Sequence, residues 1–316
     1  MVKFDKRLDF LQALVIAVKQ INSSDLNEEL DWVEYYDIPY IKELVNGINI
    51  KKYLEIVDFI NDIADCGYYT NLFLYFDDNF NLNEELWFKP FNQKDVLKFA
   101  ELIKKIYENE KIEEIFIKYE NYLNNLAKKF KNNLNIDFKE KLNEMYDLYD
   151  QIHFSINISL LINGGFSAHR ENNISYIKGI KVKTNLEDII FSEYIIICLF
   201  HEFSHFFVNK IIDKYFDNIY NLDILYSEAV DNGLPKVYQN KKTLLYEYFV
   251  RANSQILSED LISKKEYDET IEWYKEIGFV RIEEIISIIK NGLETGKKFE
   301  VIFNTLCIEY LNNLHK

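Results

Sequence analysis

Proline is nearly missing from this 316-residue chain, at 3 residues, and glycine is scarce, at 9. Both interrupt regular structure, so their scarcity disfavours a turn-rich, strand-dominated fold. Long helices are the natural outcome of the recurring Leu, Ile, Lys, Glu and Asn. Cysteine is rare too: Cys66, Cys198 and Cys307 stand far apart, with no CxxC pair. That excludes a disulfide framework, and the three thiols are read as packed side chains in a reducing compartment. Positive charge is in deficit, with 37 Lys and Arg against 52 Asp and Glu, a net −15. The balance argues against nucleic acid or an anionic membrane as the main partner.

No uninterrupted apolar run reaches the roughly 18 residues of a membrane span, although Ile189 to Phe200 is locally very apolar. Lys3, Lys6 and Arg7 precede an apolar stretch in the manner of a leader, but Asp9 and Gln12 interrupt it and no small-residue cleavage site follows. The segment reads as an amphipathic helix. The expectation is a soluble, cytoplasmic protein.

What is present, 48% hydrophobic and 28% charged residues, suffices for one large core or two modest ones. From Arg7 to about Tyr149 apolar residues recur at helical spacing, as in Leu8, Leu11, Leu14, Val15 and Val18. The many Tyr and Phe of this half are read as core, given the acidic balance, and not as a stacking surface for bases. The texture changes at Gln151. His153 to Leu161 alternates partly at period two and leads to the turn Asn163-Gly164-Gly165; Phe166 to His169 and Ile174 to Val182 supply two further strands around Glu171-Asn172-Asn173. A helix is then expected from Leu186 to Tyr215, capped by Asn185 with Asp188 three residues on. Weaker helices, broken near Asp231 to Pro235, lead to a strong one from Lys242 to about Leu257.

The long helix carries His201-Glu202-Phe203-Ser204-His205. Residues four apart on a helix lie about 40° from each other, so both imidazoles reach one ion, a spacing that suits zinc. Glu202 lies about 100° round the axis, where its carboxylate contacts a water instead of sharing the ligand direction. A zinc-activated water attacking a carbonyl, with Glu202 as general base, is the chemistry this arrangement serves.

A catalytic zinc needs a third protein ligand. Asp223, Glu228, Asp231 and Glu247 follow at distances a helical connection spans. Glu247 is favoured as the one acid within Leu244 to Val250, an apolar and aromatic helix where a carboxylate needs a partner. Arg251, four residues later, is either its helical ion-pair partner or a group that orients the ligand and adds positive charge near a developing oxyanion.

HEFSH within LFHEFSHFFVN, YEYFVRA at Tyr246 to Ala252, and the opening Phe4-Asp-Lys-Arg-Leu-Asp-Phe-Leu11 resemble the domain-of-unknown-function family 4932, a group similar to the gluzincin metallopeptidases. The resemblance implies His201, His205 and Glu247 as zinc ligands and Glu202 as base. The best-known gluzincins place their glutamate nearer the motif, which keeps Glu228 as the alternative.

Three lesser candidates follow. Gly164 to His169 either forms an edge strand offered to an extended peptide or sits at the centre of a meander, with His169 able to assist an oxyanion. Tyr226, Tyr246 and Tyr248 are possible oxyanion donors. Cys198, one turn before His201, is read as packing beneath the site. The whole is expected to be α+β, mainly α: a helical region over 1–145, and a zincin-like catalytic domain over 146–316 built from the small sheet and the motif helix. One Zn2+ per chain and a peptide or protein substrate complete the expectation. The alternative is a non-catalytic binding or scaffold protein with a structural or vestigial metal site.

Overall fold

The computed structural model describes residues 2–22, 38–65, 72–82, 93–148, 151–162, 164–183 and 187–314. Cys66, Asn163, Asn185 and Leu186 lie outside the described residues. The class is α+β and predominantly helical, as the composition implies. The chain forms two compact units, each discontinuous in sequence: Met1–Asn133 with Phe154–Phe191, and Leu134–His153 with Ser192–Lys316. The sheet thus belongs with the N-terminal helices.

In the first unit, β1 (Val2–Phe4) leads into α1 (Lys6–Asn22), followed by α2 (Pro39–Gly47), α3 (Val57–Asp65), α4 (Gln93–Asn109) and α5 (Ile112–Leu134). The opening helix is not amphipathic. Every residue from Leu8 to Val18 is buried, Asp9 and Gln12 included. Its apolar surface runs all the way round because it packs against both α2 and α3. Asp9 is tolerated there because Tyr40 donates a hydrogen bond to Oδ2 at 2.7 Å and Ser159 donates to Oδ1. Burial nevertheless pushes its carboxyl up to about 7, with the charge of Asp5 adding to the rise.

The sheet comprises β1, β2 (His153–Ser159), β3 (Gly165–Arg170) and β4 (Asn173–Gly179) in the order β1-β2-β4-β3. β1 runs parallel to β2, with Val2 opposite Ile156 and Phe4 opposite Ile158. β3 and β4 are antiparallel, joined through Glu171, which takes a left-handed φ of 50°. Of the two placements open from sequence, Gly164 to His169 takes the edge. Alternation gives the sheet a buried apolar face with Ile156, Ile158, Ile174 and Tyr176. Gly179 is required where it stands, since a Cβ there would lie 1.8 Å from the Ile162 carbonyl oxygen.

The motif helix begins later than the sequence suggests. Ile189–Ile190 is a short strand, β6, pairing antiparallel with β5 (Lys181–Val182), and the helix starts only at Tyr194. An apolar run common to strand and helix blurs that boundary, and the actual N-cap, Glu193, makes no side-chain capping bond.

The second unit opens with α6 (Phe138–Met145), capped by Asp137, which accepts from the Glu140 amide. Then come α7 (Tyr194–Tyr215), α8 (Leu222–Asp231), a short turn at Lys236–Tyr238, α9 (Lys241–Ser258), α10 (Lys264–Glu276) and α11 (Ile282–Glu294). α12 (Phe299–Ile302), a π turn at Phe303–Cys307 and α13 (Ile308–Asn312) close the chain. Asn240 caps α9 by accepting from the amides of Lys242 and Thr243. α9 is the centre of this unit: it packs along α7 on one side and α11 on another, and nearly all of Leu244 to Ser258 is buried. Among the described residues, Tyr194–Asn218 is long and apolar enough by composition to cross a membrane, yet 56% of its apolar window is buried inside the molecule. That is how the core helix of a packed unit looks.

Candidate metal centre

Two long helices packed side by side create the site. α7 presents His201 and His205 one turn apart, and α9 brings Glu247 against them. The Nε2 atoms of His201 and His205 stand 3.2 Å apart. Glu247 Oε1 is 3.5 Å from His205 Nε2, and Oε2 is 3.7 Å from His201 Nε2. An ion bound at about 2.0–2.1 Å to tetrahedral donors holds them roughly 3.3–3.4 Å apart, so these separations fit zinc. Two imidazole nitrogens this close to each other and to a carboxylate require a proton or a cation among them. All three side chains are largely buried, at 15%, 20% and 10% exposure for His201, His205 and Glu247.

The surroundings prepare the donors. His205 Nδ1 faces Asn209 Oδ1 at 3.3 Å, so the Nδ1–H donates there and the Nε2 lone pair points inward. Burial, then the charges of His205 and Arg251, hold the His201 imidazole well below its ordinary pKa, and so neutral. Arg251 Nη2 donates to Glu247 Oε2 at 3.1 Å. The Arg251 guanidinium lies over the rings of Phe279 (4.6 Å), Tyr274 (4.8 Å), Tyr238 (5.6 Å) and Trp273 (5.6 Å). Burial works against its charge, but Glu247 and the flanking phenols outweigh it and raise its pKa further. A cation fixed in this way cannot leave the carboxylate.

Glu202 follows His201 on α7 and is partly exposed. Its charge is felt at the Tyr238 phenol, whose pKa is raised by burial, by Glu247 and by Glu202, against the opposing pull of Arg251. Tyr238 hydroxyl lies 3.4 Å from Arg251 Nη2. This phenol, on the turn after Pro235, is absent from the sequence-derived candidates, as is Asn209. Asn209 sits four residues beyond His205 and was readable from spacing; Tyr238 reaches the site by tertiary folding alone.

The other candidates lie elsewhere. Glu228 is held through both carboxylate oxygens by Arg281, which lowers its pKa. Asp223 pairs with Lys241, and Asp231 is exposed at the end of α8. Tyr226 bonds the Gln239 carbonyl, Tyr246 donates to Asp213, and Tyr248 is buried with its hydroxyl 3.3 Å from the Gly278 carbonyl. His169 is exposed on β3, in the first unit. Cys198 is half-buried beside the Tyr194 phenol and takes no part in a disulfide. Among the described residues the metal-competent group is His201, His205 and Glu247.

Comparison of the chain with protein-family models, with curated proteins and with solved structures finds no match.

Proposed function

We propose that the protein is a zinc-dependent hydrolase of gluzincin type, cleaving peptide bonds, with a zincin-like catalytic core. One observation carries the reading: two imidazoles from an HExxH helix and a carboxylate from the neighbouring helix converge at 3.2 to 3.7 Å. His201, His205 and Glu247 hold the metal, one ion per chain. Bound there, zinc polarises a carbonyl and draws the pKa of water towards about 7.

The chain's own groups do the rest. Glu202 accepts the proton of the attacking water and delivers it to the leaving amine. Arg251 occupies Glu247 Oε2, which leaves Oε1 as the donor directed at His205 and favours a single carboxylate oxygen as ligand. The Tyr238 phenol, kept protonated by its acidic neighbours, donates to the developing oxyanion of the substrate. Peptide substrates and a cytoplasmic setting without nucleic-acid or membrane partners belong to the same proposal.

Metal analysis of the purified protein, followed by digestion of a peptide library with and without chelator, tests it. The expected result is one zinc per chain and chelator-sensitive cleavage. A chain that neither carries zinc nor takes it up on dialysis overturns the proposal. The burial of all three ligands also suits a structural zinc in a non-catalytic protein; in that case Glu202→Gln changes nothing measurable, while His201→Ala lowers the unfolding temperature.

A further inference from the structure

The sheet of the first unit has a second face that is polar, and part of it is buried as well. In the β1–β2 register Lys3 stands beside Asn157. Alternation adds Ser155 from β2 and Ser175 from β4, and Arg170 lies two residues beyond the partner of Ser175 on β3. These side chains, walled by Phe73, line a cleft of about 350 Å³. Water-filled polar clefts are ordinary; an orphaned group at the floor of one is not.

Asn157 is 1% exposed, and its Oδ1 has no hydrogen-bond partner. Its Nδ2–H donates to Ser155 Oγ at 3.3 Å. Turning the amide over only changes which end is orphaned. Ser155 Oγ and Ser175 Oγ lie 2.7 Å apart, and one of the two hydroxyls donates to the other. The other hydroxyl proton of the pair is then left to donate. The floor therefore offers one buried acceptor and one buried donor side by side. Around it stand Lys3, Arg7 and Arg170 with Glu171, Asp5 and Asp78; Lys3 pairs with Asp5 at 3.0 Å, and Asp78 lies 3.8 Å from Arg7 Nε. Asp5 is already engaged by Arg7, at 2.9 Å from Nε and 2.6 Å from Nη2.

We propose that this cleft binds a small organic oxyanion that retains one O–H or N–H donor. Arg170, Lys3 and the remaining hydroxyl of the Ser155–Ser175 pair take the anionic oxygens, and the donor goes to Asn157 Oδ1. Phe73 and the volume of the cleft accommodate the organic part.

Inorganic phosphate and sulfate separate the elements of the proposal, since both are tetrahedral oxyanions but only phosphate keeps a proton near neutral pH. In calorimetric titration of the full chain at fixed ionic strength, phosphate is expected to bind one per chain and sulfate about tenfold more weakly, the worth of one hydrogen bond. Asn157→Ala should bring phosphate down to the sulfate level without lowering the unfolding temperature, and Arg170→Gln should weaken both anions. His201→Ala, which dismantles the proposed metal centre, should leave phosphate binding intact. Absence of phosphate binding, equal affinity for the two anions in the unaltered chain, or loss on His201→Ala but not on Asn157→Ala overturns the proposal.

Discussion

Arg251 stands one helical turn beyond Glu247 on α9, and its Nη2 donates to Glu247 Oε2 at 3.1 Å beneath four aromatic rings. A lysine cannot reproduce this arrangement, because its ammonium neither stacks between rings nor holds a fixed fork. Arg251→Lys and Arg251→Gln should each weaken zinc binding about 10- to 100-fold, the usual effect of removing a group that orients a ligand. Competition with a chromogenic chelator measures this, and unchanged affinity would show that Glu247 holds its place unaided.

The roles of the motif residues separate in a pair of variants. Glu202→Gln should retain one zinc per chain while turnover falls by about 10²–10⁴-fold. His201→Ala should lose the metal altogether. Metal content by emission spectrometry, read beside peptide cleavage, distinguishes the two.

Tyr238→Phe removes a hydroxyl 3.4 Å from Arg251 and nothing else. If that phenol donates to the oxyanion, kcat should fall by roughly 10²-fold with KM and zinc content little changed. The same substitution at Tyr248, whose hydroxyl faces the Gly278 carbonyl, should leave kcat alone.

Glu228 serves as a control for the third ligand. Bound by Arg281 through both oxygens, it belongs to a partly exposed ion pair. Glu228→Gln should cost about 1 kcal/mol of stability and no zinc, whereas Glu247→Gln should abolish tight zinc binding. The reverse pattern in metal analysis would exchange their roles.

The sequence held the HExxH helix in plain view, because two histidines four apart share a face wherever the helix begins. Glu247 was legible for a related reason, as an acid alone in an apolar helix. The start of α7 was not, since Ile189 and Ile190 are as apolar as the helix that follows and only their pairing with Lys181 and Val182 makes them a strand. Asp9 and Gln12 suggested a solvated face on α1; Asp9 is instead paired with Tyr40 and Ser159, of which Ser159 lies 150 residues away. No local pattern reports such a partner, and the same holds for Tyr238.

Asp9 gives the stability of the protein a pH dependence of its own. Its folded pKa, about 7, lies above its ordinary value of 3.8, so between these values the folded chain keeps a proton that the unfolded chain has released. The stability linked to this group is full below about pH 4 and is lost as pH rises to about 7, by up to roughly 4 kcal/mol. Asp9→Asn, which keeps an amide for Tyr40 and Ser159, should remove that decline. Urea unfolding at pH 5 and pH 8 tests it: the gap between variant and unaltered chain should widen in favour of the variant at the higher pH.

The interleaving of the two units shapes how the molecule can be made. Val2 to Phe4 pair with residues 156 to 158, so the all-round apolar helix beside them emerges from the ribosome long before the strand that completes its surroundings. Leu134–His153, which belongs to the other unit, is synthesised in the interval. A cut near residue 145 would leave two fragments that each lack part of their own compact unit. Co-expressed as separate pieces, they should be recovered only as a reassembled pair, and α1 is the segment on which chaperones would act while the chain waits.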